Sequence, residues 1–517
     1  MNEHRKELDP QAEIISFLED PETHGGYAVE RVDTHIACVF LVGERAYKLK
    51  RSVVFPYLDF STVEKRYQAA MAELRLNTRN APSLYLGLKP IRRTGNGRLC
   101  LDGARGEIVD WLIVMQRFDQ SALFDQMALQ GCLERRQIID LADAVLELHG
   151  RSPIVNLLHP KQHFARIVSS SLEELRSHED IFSKDKLDRL TEAAEAALEL
   201  GADLIRHRAH HGLVRRCHGD LHLRNVVLWE GKPLIFDALE FDDELATGDC
   251  LYDVSFLLMD FIHRGLQPLA NLFLCRLAAR SADYDDGFEL LPLFMATRAM
   301  IRAKVSAALA SSCERRARRE SLEEEAAQYL NLAVAFFATT PVYLIAVGGL
   351  SGSGKSTVAY ELSPQLGRPP GAVVLRSDEE RKRLLGKEPE EHLPEDAYKP
   401  STSKDVYASL RKRAATLIAA GQSVIVDAVH AREEERDAIA SVGQKARFLG
   451  VWLEAPVDTL RHRVEERRDD ASDAKAAVLE EQLSYDLGSI PWTQVSSEGS
   501  PSDIAHDVVA LVEKLTE

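Results

Sequence analysis

Cysteine is scarce and scattered: seven in 517 residues, with no CxxC pair and no zinc-type spacing. Such an odd, sparse set excludes a disulfide framework and reads as reduced thiols in a cytoplasmic protein. A basic excess is missing too. The 64 Lys and Arg face 81 Asp and Glu, a net charge of −17, which argues against nucleic acid or an anionic membrane as a broad partner. Met1–Pro10 is charged and has no apolar h-region, so no secretory signal is expected. Low-complexity linkers and internal repeats are absent. The one long apolar stretch, Leu330–Leu350, is interrupted by Asn331, Thr339-Thr340-Pro341 and Gly348-Gly349. It reads as a helix end, a turn and a buried strand, and no membrane span is expected.

What is present is an ordinary globular composition, 45% apolar and 28% charged, in a chain long enough for about two to four domains. Two phosphate-handling signatures stand about a hundred residues apart. The first is HGDLHLRN, His218–Asn225, followed by the apolar run PLIFD ending at Asp237. The second is GLSGSGKST, Gly349–Thr357, directly after VYLIAVG. Before the first, YAVERV, HIACVFLV and RAYKLK read as short strands with a Gly43-Glu44 turn. Ser61-Thr62-Val63-Glu64 reads as a capping box opening a helix to about Arg79. VDWLIVMQRF is a further strand, and from Leu133 the apolar spacing is mainly helical. After Pro341, short apolar strands alternate with helices, the texture of a parallel sheet.

The first signature supplies most of what phosphoryl transfer needs. Asp220 can orient an acceptor hydroxyl and take its proton, Asn225 can hold magnesium, and Asp237 can bind the metal bridging the phosphates. His218 suits bracing of the loop better than base catalysis. The five histidines between His207 and His222 lack a matching ligand set, and no metal centre is expected there. These residues resemble the aminoglycoside phosphotransferase and choline kinase family, which has the protein-kinase fold. The resemblance covers roughly residues 25–338. It extends to GDCLYDVSFLLMD, Gly248–Asp260, where it implies that Asp253 braces the catalytic loop. No GxGxxG loop precedes the first strands, as in the small-molecule members. Lys48 and Lys50 share one face of their strand. Lys48 is the choice for the phosphate-binding lysine, with Lys50 the alternative. Glu73 suits its partner better than Glu64, which sits in the first helical turn. The resemblance makes Trp111–Arg117 the hinge reading adenine.

The second signature is a full Walker A pattern. Gly349, Ser351, Gly352, Ser353, Gly354 and Thr357 let backbone N–H groups converge on phosphates. Lys355 reaches the β and γ phosphates, and Ser356 ligates magnesium. The following region is similar to P-loop small-molecule and polynucleotide kinases, including gluconate kinase, zeta toxins and 5′-hydroxyl polynucleotide kinases. That similarity spans about Val342–Lys514. It implies that Asp378 orients the acceptor hydroxyl, or caps the following helix, and that Arg381 holds substrate. Asp427 ends a third strand where a Walker-B-like acid belongs, and His430 is expected in the same crevice. Arg463 and Arg467 share a helical face and resemble an arginine-bearing lid. A merely solvated charged helix is the alternative.

The whole pattern implies a multidomain chain. An α+β, bilobal, protein-kinase-like domain occupies 1–338 (N-lobe about 25–117, helical C-lobe about 118–338). An α/β P-loop NTPase domain with a parallel sheet occupies 339–517. The pairing resembles bifunctional aminoglycoside phosphotransferase-like/ATP-binding proteins. It implies an ATP- and Mg2+-dependent kinase acting on hydroxyl groups of small metabolites at one site per domain; the fusion suggests that one centre's product feeds the other. The alternatives are a P-loop half acting on polynucleotide 5′ ends or nucleotide sugars, and a nucleotide-sensing regulator with one inactive site. The sequence fixes neither acceptor nor oligomeric state.

Overall fold

β-branched and aromatic residues in period-2 alternation build the first sheet. A computed structural model describes residues 10–34, 36–55, 58–103, 105–466 and 476–515. Its contacts divide the chain into two compact units: Met1–Leu133, Glu147–Val155 and Val214–Gly248 in the first, and Glu134–Leu146, Asn156–Leu213 and Asp249–Glu517 in the second. The change of sequence texture at Thr339–Pro341 does not coincide with a break in this packing.

The first unit holds an antiparallel six-stranded sheet in the order Val29–Asp33, Ala37–Val42, Arg45–Lys50, Glu107–Gln116, Tyr85–Arg93, Leu99–Cys100. Alternation sorts its side chains between two cores. Cys38, Phe40, Val42, Leu49 and Leu112 join Ile14, Ile15 and Leu18 of the helix Ala12–Glu19 on one face. Leu41, Ala46, Ile113 and Met115 join Ala70 of the helix Val63–Asn80 on the other. Because Ala46, Lys48 and Lys50 alternate with Tyr47 and Leu49, both lysines turn toward the helix that carries Glu73.

That helix starts differently from the capping box expected. Thr62 is the N-cap, and its hydroxyl accepts from Lys65 N at 3.3 Å. The third helical position is therefore Lys65, which cannot reach back as an acceptor. Glu64 instead accepts from Gln68 at 2.7 Å. The expected hinge is displaced as well. Leu112–Gln116 lies inside a strand flanked by Arg45–Lys50 on one side and Tyr85–Arg93 on the other. Its backbone groups are committed to the ladders.

The second unit combines helices with a five-stranded, wholly parallel sheet. Its order is Val373–Arg376, Val424–Asp427, Tyr343–Gly348, Arg447–Glu454, Thr493–Ser496. The central strand is buried throughout, as expected of a parallel sheet covered on both faces. No helix among the described residues is long and apolar enough to cross a membrane. The stretch Leu330–Leu350 resolves into the end of the helix Arg316–Ala335 and the strand Tyr343–Gly348.

Candidate active sites

In the first unit a buried carboxylate organises two lysines. Glu73 is fully buried. It accepts from Lys48 Nζ at 2.8 Å through Oε1 and from Lys50 Nζ at 2.7 Å through Oε2. Lys48 also donates to Asp237 Oδ1 at 2.5 Å, and Lys50 to Glu240. Burial pushes the Glu73 carboxyl up, but the two ammonium groups outweigh it and hold its pKa at about 2. For Glu240 the balance is reversed: burial outweighs Lys50 and raises its pKa. The arrangement separates the two lysine candidates. Lys48 reaches Asp237, whereas Lys50 is 2% exposed and turned to Glu240.

The helix fixes the acidic segment a second time. Asn77, also buried, accepts from Ala238 N at 2.9 Å. Asp237 sits between these anchors with a φ of 61°, a left-handed conformation that aspartate tolerates better than most residues. Neither Asn77 nor Glu240 was singled out from sequence. The signal for Glu240 was available: two lysines facing one buried side require more than one acid.

The HGD loop is tied to the same segment by main chain. His218 Nε2 lies 2.9 Å from Phe236 O, Leu239 N donates to His218 O at 2.9 Å, and Phe236 N to Asn225 O at 3.0 Å. Asn225 Nδ2 donates to the Asp220 carbonyl at 2.9 Å and carboxylate at 3.0 Å. That leaves Oδ1 as the atom of Asn225 that could reach a cation. His222 Nε2 stands 3.3 Å from Asp220 Oδ2, and the Asp220 side chain remains 42% exposed. Gly219 is required here. At a φ of 84°, a Cβ would lie 3.0 Å from those of Ala246 and Leu239. Asp253, in the second unit, is buried and 3.9 Å from Arg298.

The second site lies where the strand Tyr343–Gly348 runs into the helix Lys355–Leu362. The turn between them closes so tightly that a Cβ on Gly352 would come within 2.5 Å of Leu460 O. Ser356 Oγ donates to Asp427 Oδ2 at 2.6 Å, bringing the hydroxyl and the acid at the end of Val424–Asp427 together. Lys355 Nζ donates to Leu350 O at 3.0 Å, folding back over the loop. Arg463 reaches Gly352 O at 3.4 Å and Ser497 O at 2.7 Å. Arg467 lies outside the described residues.

These groups border a cavity of about 1570 Å³. Ser351–Thr357 line it, together with Ser377, Asp378, Arg381, Tyr398, Tyr407 and Arg411. Asp378 occupies the first turn of the helix Ser377–Leu384, whose N-cap is Arg376. It is therefore inside the helix, where its charge meets the positive dipole end. Arg381 is 6% exposed, donates to Ala397 O at 3.0 Å and stacks over Tyr398 at 4.7 Å. Sequence reasoning missed two supports. Arg376 Nε is 3.4 Å from Asp427 Oδ2, and buried Gln482 accepts from Ser351 N at 2.8 Å.

His430 is a correction. It is 1% exposed and does not border the cavity, although Val429 and Ala431 do. A φ of 50° turns it inward, where its ring meets Tyr407 and Trp492 edge-on at 5.5 and 5.1 Å. Both ring nitrogens lack a hydrogen-bond partner. Burial, reinforced by Lys355, drops its pKa to about 3, so the ring is neutral at working pH.

The residues present fit a magnesium-bound nucleotide. The loop is a cradle that a Cβ would fill, Ser353 Oγ is buried with no partner, and Ser356 with Asp427 forms a hard-oxygen pair suited to a small divalent cation.

Two expectations follow. Glu73 has a folded pKa below its unfolded value of about 4.5, so its contribution to stability is complete above that pH and is lost as pH falls toward 2. Denaturant melts from pH 6 to 2.5 should show this acid loss, and the Glu73→Gln protein should lack that part of the slope. His430→Phe should keep stability equal or higher, because an unpaired buried imidazole is replaced by an apolar ring. ATP turnover at this centre should stay within about threefold; a larger loss in steady-state assays would restore a substrate role to His430.

Residues 98–287 match the phosphotransferase enzyme family and residues 344–485 the AAA domain family. An uncharacterized protein of Mycobacterium tuberculosis is 29% identical over 471 residues, covering 88% of this chain and 90% of its own. Among solved structures, a choline/ethanolamine kinase family protein from Mesorhizobium loti is 14% identical, with a TM-score of 0.37 over 63% of this chain and 98% of its own. A sugar kinase from Janibacter sp. is 17% identical, with a TM-score of 0.27 over 34% and 95%. One polypeptide therefore carries a region of the phosphotransferase enzyme family followed by a P-loop kinase region of the AAA domain family.

Proposed function

We propose that this chain is a two-centre phosphotransferase, using ATP and Mg2+ to phosphorylate hydroxyl groups of small metabolites, sugars or sugar-like alcohols. One observation carries the reading. Two distant parts of the sequence each gather a lysine and an acid in position for a metal (Lys48 with Asp237, Lys355 beside the Ser356–Asp427 pair), and each also carries a second acid open to solvent or cavity, Asp220 and Asp378.

At the first centre, Asp220 orients the acceptor hydroxyl and accepts its proton, with His222 and Asn225 limiting its rotamers. Lys48 releases Asp237 to meet the phosphates, while Glu73 keeps the lysine extended. At the second, the Walker loop amides and Lys355 hold the triphosphate, Ser356 and Asp427 would hold the metal, and Arg463 approaches from the lid side. Asp378 faces the acceptor and Arg381 steadies it. Bound magnesium neutralises charge developing on the phosphates. A cavity of about 1570 Å³ exceeds the few hundred to ~1,000 Å³ usual for one small ligand, which supports nucleotide and acceptor side by side.

The test is ATP consumption by the full chain against a panel of sugars, polyols, amino alcohols and nucleosides, in Asp220→Asn and Lys355→Ala proteins. Asp220→Asn should lower one acceptor-dependent activity by about 10²–10⁴-fold while ATP binding is kept. Lys355→Ala should weaken a different one by roughly 3–5 kcal/mol of transition-state stabilisation. If neither substitution changes any acceptor-dependent rate, the two-centre reading fails. If the product of one centre is a better acceptor for the other than any member of the panel, the centres act in series.

A further inference from the structure

The helix Ser377–Leu384 carries the proposed acceptor residues Asp378 and Arg381, yet it is built from charged side chains. Glu379, Glu380, Arg381 and Lys382 are all buried. Buried charges are tolerated only when paired and hydrogen-bonded; here the partners are Arg376, Arg413 and the carbonyls of Ala397 and Pro389, and Arg413 leads on to residues far upstream.

Glu380 is 2% exposed and accepts from Arg413 Nη1 at 2.8 Å. Arg413, itself buried, gives Nε and Nη2 to Asp285 at 2.7 and 2.9 Å, and Nη2 also to Ala278 O at 2.7 Å. Its planar fork is thus used on both sides, toward the acceptor helix and toward the phosphotransferase-family region. Both flanks of the acceptor helix are fastened to the helix Gln267–Arg280 of that region. On the N-terminal flank, Asn271 Nδ2 donates to Ala372 O at 2.9 Å, and Val374 N lies 3.4 Å from Cys275 Sγ. Cys275 belongs to the same apolar core as Ile345, Val347 and Val374. On the C-terminal flank, Arg276 bridges Asp143 at 2.7 Å and Glu390 at 2.7 Å, and Arg280 bridges Asp143 at 2.9 Å and Glu388 at 2.8 Å. The strand Val373–Arg376, which leads into the acceptor helix, is an edge of the parallel sheet, and edges need covering. The upstream helix supplies that cover.

We propose that Arg413 is a positioning residue for the P-loop centre: with Glu380 and Asp285 it sets the acceptor helix, so that the placement of Asp378 and Arg381 is dictated by Asp143 and the segment 267–285 of the phosphotransferase-family region. The activity part of this proposal rests on the kinase reading above; the structural part does not.

The experiment uses full-length Arg413→Met, Arg413→Lys and Asp285→Asn proteins. Hydrogen–deuterium exchange reads residues 343–391, with and without a non-hydrolysable ATP analogue and Mg2+. Arg413→Met should speed exchange of Ser377–Leu384 by at least tenfold. Tyr343–Gly348 and the analogue's protection of Gly349–Thr357 should stay within twofold, and Arg413→Lys should recover part of the effect. ATP consumption at this centre should fall tenfold or more with KM for ATP unchanged, a split that general loosening would not give. If Arg413→Met does not fold, the near-isosteric Asp285→Asn decides by the same readouts. Exchange of Ser377–Leu384 that is unchanged, or that rises only in step with the whole sheet, overturns the proposal. Because exchange needs no turnover, a protein that phosphorylates nothing in the panel refutes the kinase reading and leaves this one standing or falling on its own data.

Discussion

A carboxylate with no access to water stays ionised only between cations, and Glu73 meets that condition by sharing its two oxygens between Lys48 and Lys50. The rest of the first centre hangs on this contact. It fixes the strand Arg45–Lys50 against the helix Val63–Asn80, and through the second arm of each lysine it gathers Asp237 and Glu240. Were only one lysine present, any movement of Lys48 away from Glu73 would leave the carboxylate alone in a dry site. Lys50 keeps the carboxylate paired through that movement.

The P-loop centre solves the same electrostatic problem on a larger scale. Its groups are held by oxygen contacts over short sequence distances near the loop, and by arginine forks over long ones. Arg376 lies between Glu379 and Asp427, Arg413 spans Glu380 and Asp285, and Arg276 spans Asp143 and Glu390. Guanidinium is the natural choice, since it stays charged when buried and offers donors in two directions.

Legibility in the sequence followed contour length. The Walker loop was readable because its chemistry is contiguous, and the lysine face because strand alternation is local and rigid. The loop from His218 to Asn225 was readable for the same reason. Asn77, Glu240, Gln482 and Arg413 were not, since each acts on a partner whose approach depends on how distant elements pack. His430 was misplaced for a subtler cause. Three residues past Asp427 it is near the cavity along the chain, but a left-handed φ reverses its side chain, and no spacing rule reports that. The helix Val63–Asn80 began one residue late for the same kind of reason: Ser61 and Thr62 are both competent caps, and the neighbouring Asp59, which bonds the Ser61 hydroxyl and amide, leaves the role to Thr62.

The helix Gln267–Arg280 has a partner 101 residues downstream, Ala372. At ribosomal speeds of about 5–20 residues per second, roughly 5–20 seconds separate the emergence of the two. Throughout that interval Asn271, Cys275 and Arg276 wait without their sheet. The order of synthesis therefore makes the carboxyl-terminal portion the last piece of a surface begun much earlier, and gives chaperones a defined window in which this helix is unclothed.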